Sequence, residues 1–210
     1  MTMNGSGPRL IHVEQYPKVS SVLYTEEDEL AWVELNRPMA ANSIDLSMIS
    51  ELRAIWSSLS TNTTVKGVVL TGTGPEAFTV GLDSKLVAPD TLSIPQIGPR
   101  EFGVHQYLVV AMNGIACREA RVFLSEADAV VAAEHTALQV DAYRSFASDA
   151  MTMRGNPTRA GSDMVSAADA LTLGLVDEVV PLSALRQTAK RFAVDHLQKC
   201  SEPSDTRTDE

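Results

Sequence analysis

The chain has few cysteines and few aromatic residues. Its two cysteines, Cys117 and Cys200, have neither a CxxC spacing nor the spacing of metal ligands, which disfavours a disulfide framework or a metal site. Aromatic residues make up only 5% of the 210 residues, so the core must consist mainly of Leu, Val, Ala and Ile. Hydrophobic residues reach 44%, which is enough apolar surface for one ordinary domain.

The chain also lacks a surplus of basic residues and any long apolar run. There are 17 Lys and Arg against 27 Asp and Glu, for a formal net charge of -10. This balance disfavours nucleic acid and anionic membranes as partners. No apolar run approaches the ~20 residues that span a bilayer. The N-terminus lacks the charged segment followed by an apolar segment that is typical of a signal peptide. We therefore expect a soluble, cytoplasmic protein that has no nucleic-acid or membrane partner.

The composition predicts one folded domain between two polar ends. Residues 1–15 are polar and Gly-rich, which predicts a flexible arm. Residues 201–210 contain no apolar residue, which predicts a disordered tail. The domain is therefore expected over residues 16–200.

Within the domain, strand patterns alternate with helix patterns. A hairpin is expected over residues 19–24 and 30–38, followed by buried strands over residues 65–70, 107–112, 129–133 and 176–180. Helices are expected over residues 44–59, 118–126 and 167–173, in a segment after Asp83, and from Leu182 onward. Asn42 or Ser43 is expected to cap the first of these helices, and Ser166 the helix over 167–173. This alternation is typical of an α/β domain.

Two segments, residues 68–83 and 109–134, each have the pattern of a buried strand, a Gly-containing turn and the start of a helix. They read VVLTGTGPEAFTVGLD and VVAMNGIACREARVFLSEADAVVAAE. Such turns can direct two backbone N–H groups at one point, which is how a fold stabilises a developing oxyanion.

Four segments in order resemble the crotonase (enoyl-CoA hydratase/isomerase) superfamily. They are LNRPMAANSIDLSMISEL at 35–52, GVVLTGTGPEAFTVGLD at 67–83, VVAMNGIA with ADAVVAAEHTAL between 109 and 138, and SAADALTLGLVDEVVP at 166–181. The resemblance implies a crotonase-like α/β fold, a spiral of ββα units that assembles as a homotrimer or hexamer. The chain looks like a divergent and shortened member, since the family's C-terminal helical region is longer.

The resemblance also implies an oxyanion hole made by the backbone amides of Leu82 and Glu119, with Gly81, Gly114 and Arg118 beside the substrate. The family typically has three glycines where Arg118, Glu119 and Ala120 stand. The Glu119 carboxylate either bonds to local backbone at the start of its helix or lies beside the oxyanion, which it would repel. Arg118 is either solvated, or offsets the charge of Glu119, or binds a phosphate.

The proton-transfer groups of the family are missing. The two glutamates of the family hydratases fall at Val122 and at or near Ala142, and neither side chain transfers a proton. The nearest replacement is Asp141, which is either a general base or a loop-capping residue. A branch of the superfamily that hydrolyses β-diketones is similar around Asp128 but has a histidine where Glu119 stands.

Four other residues of reactive types are expected to have roles other than catalysis. Asp128 is expected to be structural, Cys117 to be a small buried residue, and His105 and His135 to be solvated rather than catalytic.

The leading hypothesis is a divergent enzyme that stabilises an enolate of an acyl thioester or a β-dicarbonyl compound. The reaction would be isomerisation, C–C hydrolysis or cleavage, or dehydration, in specialised metabolism. Asp141, or else Glu119, would transfer the proton. No separate cofactor is expected, because CoA or a carrier protein would enter as part of the substrate. The alternative is a non-catalytic subunit that binds acyl thioesters or has a structural role.

Overall fold

A computed structural model describes residues 20–86, 95–139 and 164–201. The arm expected at residues 1–15 and the tail beyond Ser201 lie outside these residues, as do Asp141 and Ala142. Ser201 itself, which the composition assigned to the tail, is the last residue of a helix.

The described residues form ten strands and four α-helices. The strands are β1 Val22–Glu27, β2 Leu30–Leu35, β3 Gly67–Gly72, β4 Ala77–Thr79, β5 Tyr107–Met112, β6 Ile115–Ala116, β7 Ala129–Ala133, β8 Ala137–Gln139, β9 Met164–Ser166 and β10 Glu178–Val180. The helices are α1 Leu46–Leu59, α2 Ala120–Glu126, α3 Ala167–Thr172 and α4 Leu182–Ser201. A short 3-10 helix, Ser84–Leu86, stands where a helix was expected after Asp83.

The larger sheet has the order β1-β2-β3-β5-β7-β10. The β1–β2 hairpin is antiparallel and the other neighbours are parallel. Every residue of β3 and β7 is buried, because helices cover both faces of the parallel part of the sheet. The predicted bounds of β5 and β7 are confirmed, and the α/β class with them.

The two faces of this sheet pack against different helices. Ala31, Val33 and Leu35 of β2 belong to the core shared with α1. Leu30 and Trp32 of the same strand point to the other face, where α4 packs. The sheet therefore separates an α1 side from an α4 side.

Helix α1 begins later than predicted and has a different cap. The Asp45 carboxylate accepts a hydrogen bond from the Met48 amide at 2.8 Å, so the predicted caps Asn42 and Ser43 were wrong. Asn42 has a positive φ of 53°, and its side-chain amide donates to the Thr73 and Ala77 carbonyls. The Ser166 cap of α3 is confirmed, since its hydroxyl accepts from the Asp169 amide at 3.1 Å.

A second sheet, in the order β4-β6-β8-β9, was not predicted. Its strands have two or three residues each, too few to show a periodic pattern. Gly114 lies in the turn before β6, where an added Cβ would stand 2.3 Å from the Glu76 carbonyl oxygen. This sheet places the two Gly-containing turns side by side.

Among the described residues, no helix combines the length and the apolar character needed to cross a membrane.

Candidate oxyanion-hole site

The first turn follows β4 and fixes the Leu82 amide. The Ile44 amide donates to the Gly81 carbonyl at 2.8 Å, and the Asp83 amide donates to the Ile44 carbonyl at 2.9 Å. These two bonds use the groups on either side of Leu82 and leave its own N–H pointing away from Ile44. Gly81 reaches this conformation through a φ of +91°, which glycine adopts at little cost.

The second turn follows β6 and lies against the first. The Cys117 amide donates to the Thr79 carbonyl at 3.0 Å, and the Ala120 amide donates to the Cys117 carbonyl at 3.0 Å. Arg118 takes a positive φ of 48°, a conformation that is uncommon for residues other than glycine. This left-handed residue turns the chain so that Glu119 precedes α2.

The side chain of Glu119 connects the two turns. Its Oε2 accepts a hydrogen bond from the Leu82 amide at 2.8 Å. Glu119 is only 9% exposed, and its carboxylate does not cap its own helix. The position that the resemblance gives to a substrate oxyanion is thus taken by an oxygen of the protein.

The close approach of Glu119 depends on Gly81. A Cβ built on Gly81 would lie 2.2 Å from Glu119 Oε2 and 2.9 Å from the Cβ of Arg118. No side chain fits there without moving Glu119. The structure therefore brings together Gly81, Leu82, Arg118 and Glu119, whereas Gly114 packs against the backbone of Glu76.

Two further groups at this site have no partner in the part of the chain that the structure describes. The backbone amide of Glu119 has no hydrogen-bond acceptor among the described residues. Arg118 is exposed and forms no ion pair with any residue that the structure describes, so it does not offset Glu119 by direct pairing. Within the described residues, this amide and this guanidinium are therefore the two groups of the site that have no protein partner.

One arginine and two aspartates form a cluster against the first turn, which the sequence did not reveal. Arg37 pairs with Asp83 and Asp45, each at 3.2 Å, and donates to the Ser43 carbonyl. A hydrogen bond from the Lys85 amide, together with Arg37, lowers the pKa of Asp83. The sequence contains both residues, Arg37 in LNRP and Asp83 in VGLD. No local pattern indicates that they form a pair.

At the position that the resemblance gives to the first family glutamate stands Val122, whose side chain cannot transfer a proton. Val122 is half-buried and packs against the apolar core on the α1 side. Asp141, the predicted replacement for the second glutamate, lies outside the described residues. In the described part of the chain no group of three or more His, Cys, Asp or Glu is placed to hold a metal ion.

The structural role expected for Asp128 agrees with its contacts and His135 is exposed, whereas Cys117, which was expected to be buried, is half-buried. Asp128 pairs with Arg100 at 2.6 Å and accepts from the Leu108 amide at 2.7 Å, so it holds the start of β5. His135 Nε2 lies 2.7 Å from the Pro75 carbonyl oxygen. Burial raises the pKa of the Cys117 thiol, and the Arg118 charge offsets this only in part, so the reactive thiolate is disfavoured.

Comparison with known proteins gives the same fold. The family model described as "Enoyl-CoA hydratase/isomerase" matches residues 25–206. The (E)-benzylidenesuccinyl-CoA hydratase of Thauera aromatica is 28% identical over 184 residues, which cover 79% of this chain and 72% of that protein.

Two other comparisons involve a shorter segment and a solved structure. The 6-oxocyclohex-1-ene-1-carbonyl-CoA hydrolase of Syntrophus aciditrophicus is 35% identical over 78 residues, 37% of this chain and 19% of that protein. The crystal structure of an enoyl-CoA hydratase from Mycobacterium tuberculosis H37Rv superposes with a TM-score of 0.69 at 26% identity, covering 85% of this chain and 82% of that chain.

Proposed function

The chain belongs to the enoyl-CoA hydratase/isomerase family, and we propose that it binds an acyl thioester with the carbonyl oxygen at the amides of Leu82 and Glu119. The observation that supports this most directly is the bond from the Leu82 amide to an anionic oxygen at 2.8 Å. That length lies within the range of about 2.7–3.1 Å expected between an oxyanion and its donors. Exposed Arg118 is available to a phosphate of the ligand.

Binding requires the Glu119 side chain to move. In this proposal the thioester oxygen takes the position of Oε2 at the Leu82 amide, and a carboxylate oxygen kept beside it would repel it. A carboxylate left in place would also repel an enolate as its charge develops. The ligand therefore competes with Glu119 for the Leu82 amide.

The proposed chemistry proceeds through an enolate and is not ordinary hydration. Hydration by the family route needs two glutamates, and Val122 stands in place of the first. We assign proton transfer to Asp141, with Glu119 as the second candidate. Isomerisation, C–C cleavage or dehydration of a specialised acyl thioester or β-dicarbonyl substrate remains compatible with a single transferring group.

The proposal is tested by thermal unfolding with millimolar acetoacetyl-CoA, while the ultraviolet enolate band is followed in the same sample. A ligand that binds only the folded state stabilises it by ~2.7 kcal/mol at a hundredfold excess over its dissociation constant. We expect a higher melting temperature and a stronger enolate band. Absence of both for acetoacetyl-CoA and for a panel of longer acyl-CoAs would overturn the thioester proposal.

A second candidate function is acyl-thioester binding without turnover. The occupied Leu82 amide and the apolar Val122 favour it, because both weaken the catalytic machinery of the family. The two functions are distinguished by Asp141→Asn. Turnover that disappears in this variant while binding persists supports the enzyme, and binding without turnover in the unaltered protein across a broad panel supports the binding protein.

A further inference from the structure

A cleft of about 340 Å³ lies on the α4 side of the large sheet, away from Leu82. It opens at the carboxyl ends of three neighbouring strands, where α/β proteins commonly bind ligands. Its lining on the sheet side includes Thr71, the backbone of Gly72 and the small side chain of Ala111. The first two turns of α4 form the opposite wall through Leu182, Leu185 and Arg186. Its volume falls at the lower end of small-molecule sites, which are about 300–1,000 Å³.

Two polar side chains in the cleft are already engaged by the backbone. Thr71 donates to the Ala111 carbonyl at 2.7 Å. Asn113 accepts from the Gly72 amide and donates to the Gly74 and Ala77 carbonyls. Their donors therefore hold the sheet and its turns together and are not offered to a ligand.

Trp32, by contrast, has an unused donor. Its Nε1 is buried without a hydrogen-bond partner in the described structure, and the residue is 2% exposed. The other tryptophan of the chain, Trp56, is fully buried but donates to the Ile97 carbonyl at 2.8 Å. A buried N–H without an acceptor is rare and costly, so it calls for an explanation.

A cation covers the Trp32 ring. The Arg186 guanidinium lies 3.8 Å from the ring centroid, and its Nη1 donates to Glu34 at 2.9 Å. Glu34 is the one carboxylate among the described residues that line the cleft. The Arg186 side chain is 55% exposed, so it can turn aside from the ring, and it keeps further N–H groups beyond the one bound to Glu34.

We infer that this cleft binds a small carboxylate with a short apolar body. The carboxylate takes an N–H of Arg186 and the indole N–H of Trp32, because these donors lack an acceptor among the described residues that line the cleft. The apolar body lies against Pro75, Ala111 and Leu185. Arg186 exchanges Glu34 for the ligand as it turns. This inference does not rest on the proposed thioester site, which lies across the sheet.

The test follows the two indole N–H signals by ¹H–¹⁵N NMR while benzoate is added to the full chain. Trp56→Phe assigns the signals. We expect a saturable shift of the Trp32 signal and a constant Trp56 signal. Benzamide, which has the same ring without the charge, should bind about tenfold more weakly, because a charge-assisted bond to arginine is lost.

Two variants of α4 provide the matched control. Arg186 and Arg191 each lie over an aromatic ring. Arg186 pairs with Glu34, and Arg191 pairs with Glu178 and Asp195, but Arg191 is not among the residues lining the cleft. Arg186→Gln should weaken benzoate binding about tenfold, and Arg191→Gln by less than about twofold.

Four results would overturn the inference. The first is a constant Trp32 signal up to tens of millimolar benzoate, and the second is an equal shift of both indoles. The third is an equal loss of affinity in the two arginine variants. The fourth is a Trp32 signal that moves with protein concentration alone, which would mean that a second copy of the chain covers the cleft.

Discussion

At the scale of single residues, one carboxylate occupies the proposed oxyanion hole. Glu119 stands where the family typically has glycine, and its side chain takes the Leu82 amide that a ligand would need. Three unusual positions make this possible: a glycine with φ +91°, an arginine with φ 48°, and a glutamate that is 9% exposed. Because Gly81 lies against Glu119 and Arg118, a side chain added at Gly81 should displace the Glu119 carboxylate.

Gly81→Ala is predicted to destabilise the fold by roughly 2–4 kcal/mol, because the backbone strain adds to a clash with a buried carboxylate. Gly174→Ala is the matched control, since Gly174 has φ +73° but nothing within 4 Å of its added Cβ. It should lose about 1 kcal/mol from backbone strain alone. Urea unfolding measures both.

The double variant Gly81→Ala with Glu119→Ala separates strain from clash. It should recover most of the loss that exceeds the Gly174→Ala value, because the closest clashing atom is gone and only the 2.9 Å contact with the Arg118 Cβ is left. Equal losses in Gly81→Ala and Gly174→Ala would show that Glu119 does not occupy the position against Gly81.

At the scale of elements, the first strand and the first helix are held together by one side chain. The Glu51 carboxylate of α1 accepts hydrogen bonds from the Ser20 hydroxyl at 2.7 Å, the Val22 amide at 2.9 Å and the Ser47 hydroxyl at 2.9 Å. Burial alone would raise the pKa of Glu51, but these bonds together lower it. The ionised form is therefore the one that stabilises the fold.

Glu51→Gln is predicted to lower stability at pH 7 by about 1–2 kcal/mol, since bonds to a charged acceptor are lost. A lowered pKa in the folded state gives stability that is present above the unfolded pKa and disappears as the pH falls through the folded pKa. The difference between the variant and the unaltered protein should therefore shrink on acidification from pH 7 to about pH 3. Denaturant titrations at several pH values test this, and a difference that grows with acid would contradict it.

At the scale of the whole molecule, the strands of the large sheet were predicted more accurately than the second sheet and the cap of α1. Strands β5 and β7 are buried on both faces, so their apolar runs are continuous and their bounds are clear. Strands β4 and β6 are too short for any periodicity. The cap of α1 was misplaced because Asn42, Ser43 and Asp45 are all residue types that cap helices, and only the fold shows which of them bonds to Met48.

The same limit applies to the candidate site. Strand-turn patterns and the family resemblance indicated Leu82 and Glu119 as a pair, and the two turns do lie side by side. The bond between them joins residues 37 positions apart. A side-chain contact over that separation depends on how β4 and β6 pair, which no local pattern encodes.

The assembly expected from the resemblance stays a prediction at this scale. One chain has a mass of 22.6 kDa, so a homotrimer or hexamer should show about three or six times that mass. Light scattering after size-exclusion chromatography measures it directly. A mass equal to that of one chain at micromolar concentration would contradict the expectation.

The most direct test of the central claim is calorimetric binding of acetoacetyl-CoA to the unaltered protein and to Glu119→Ala. If the carboxylate competes for the Leu82 amide, its removal should tighten binding by about tenfold or more, the value of a charge-assisted hydrogen bond. Glu134→Ala, which removes an exposed carboxylate, controls for the change in net charge and should alter binding by less than about twofold. Equal or weaker binding by Glu119→Ala would contradict the claim that the ligand carbonyl replaces this side chain at Leu82.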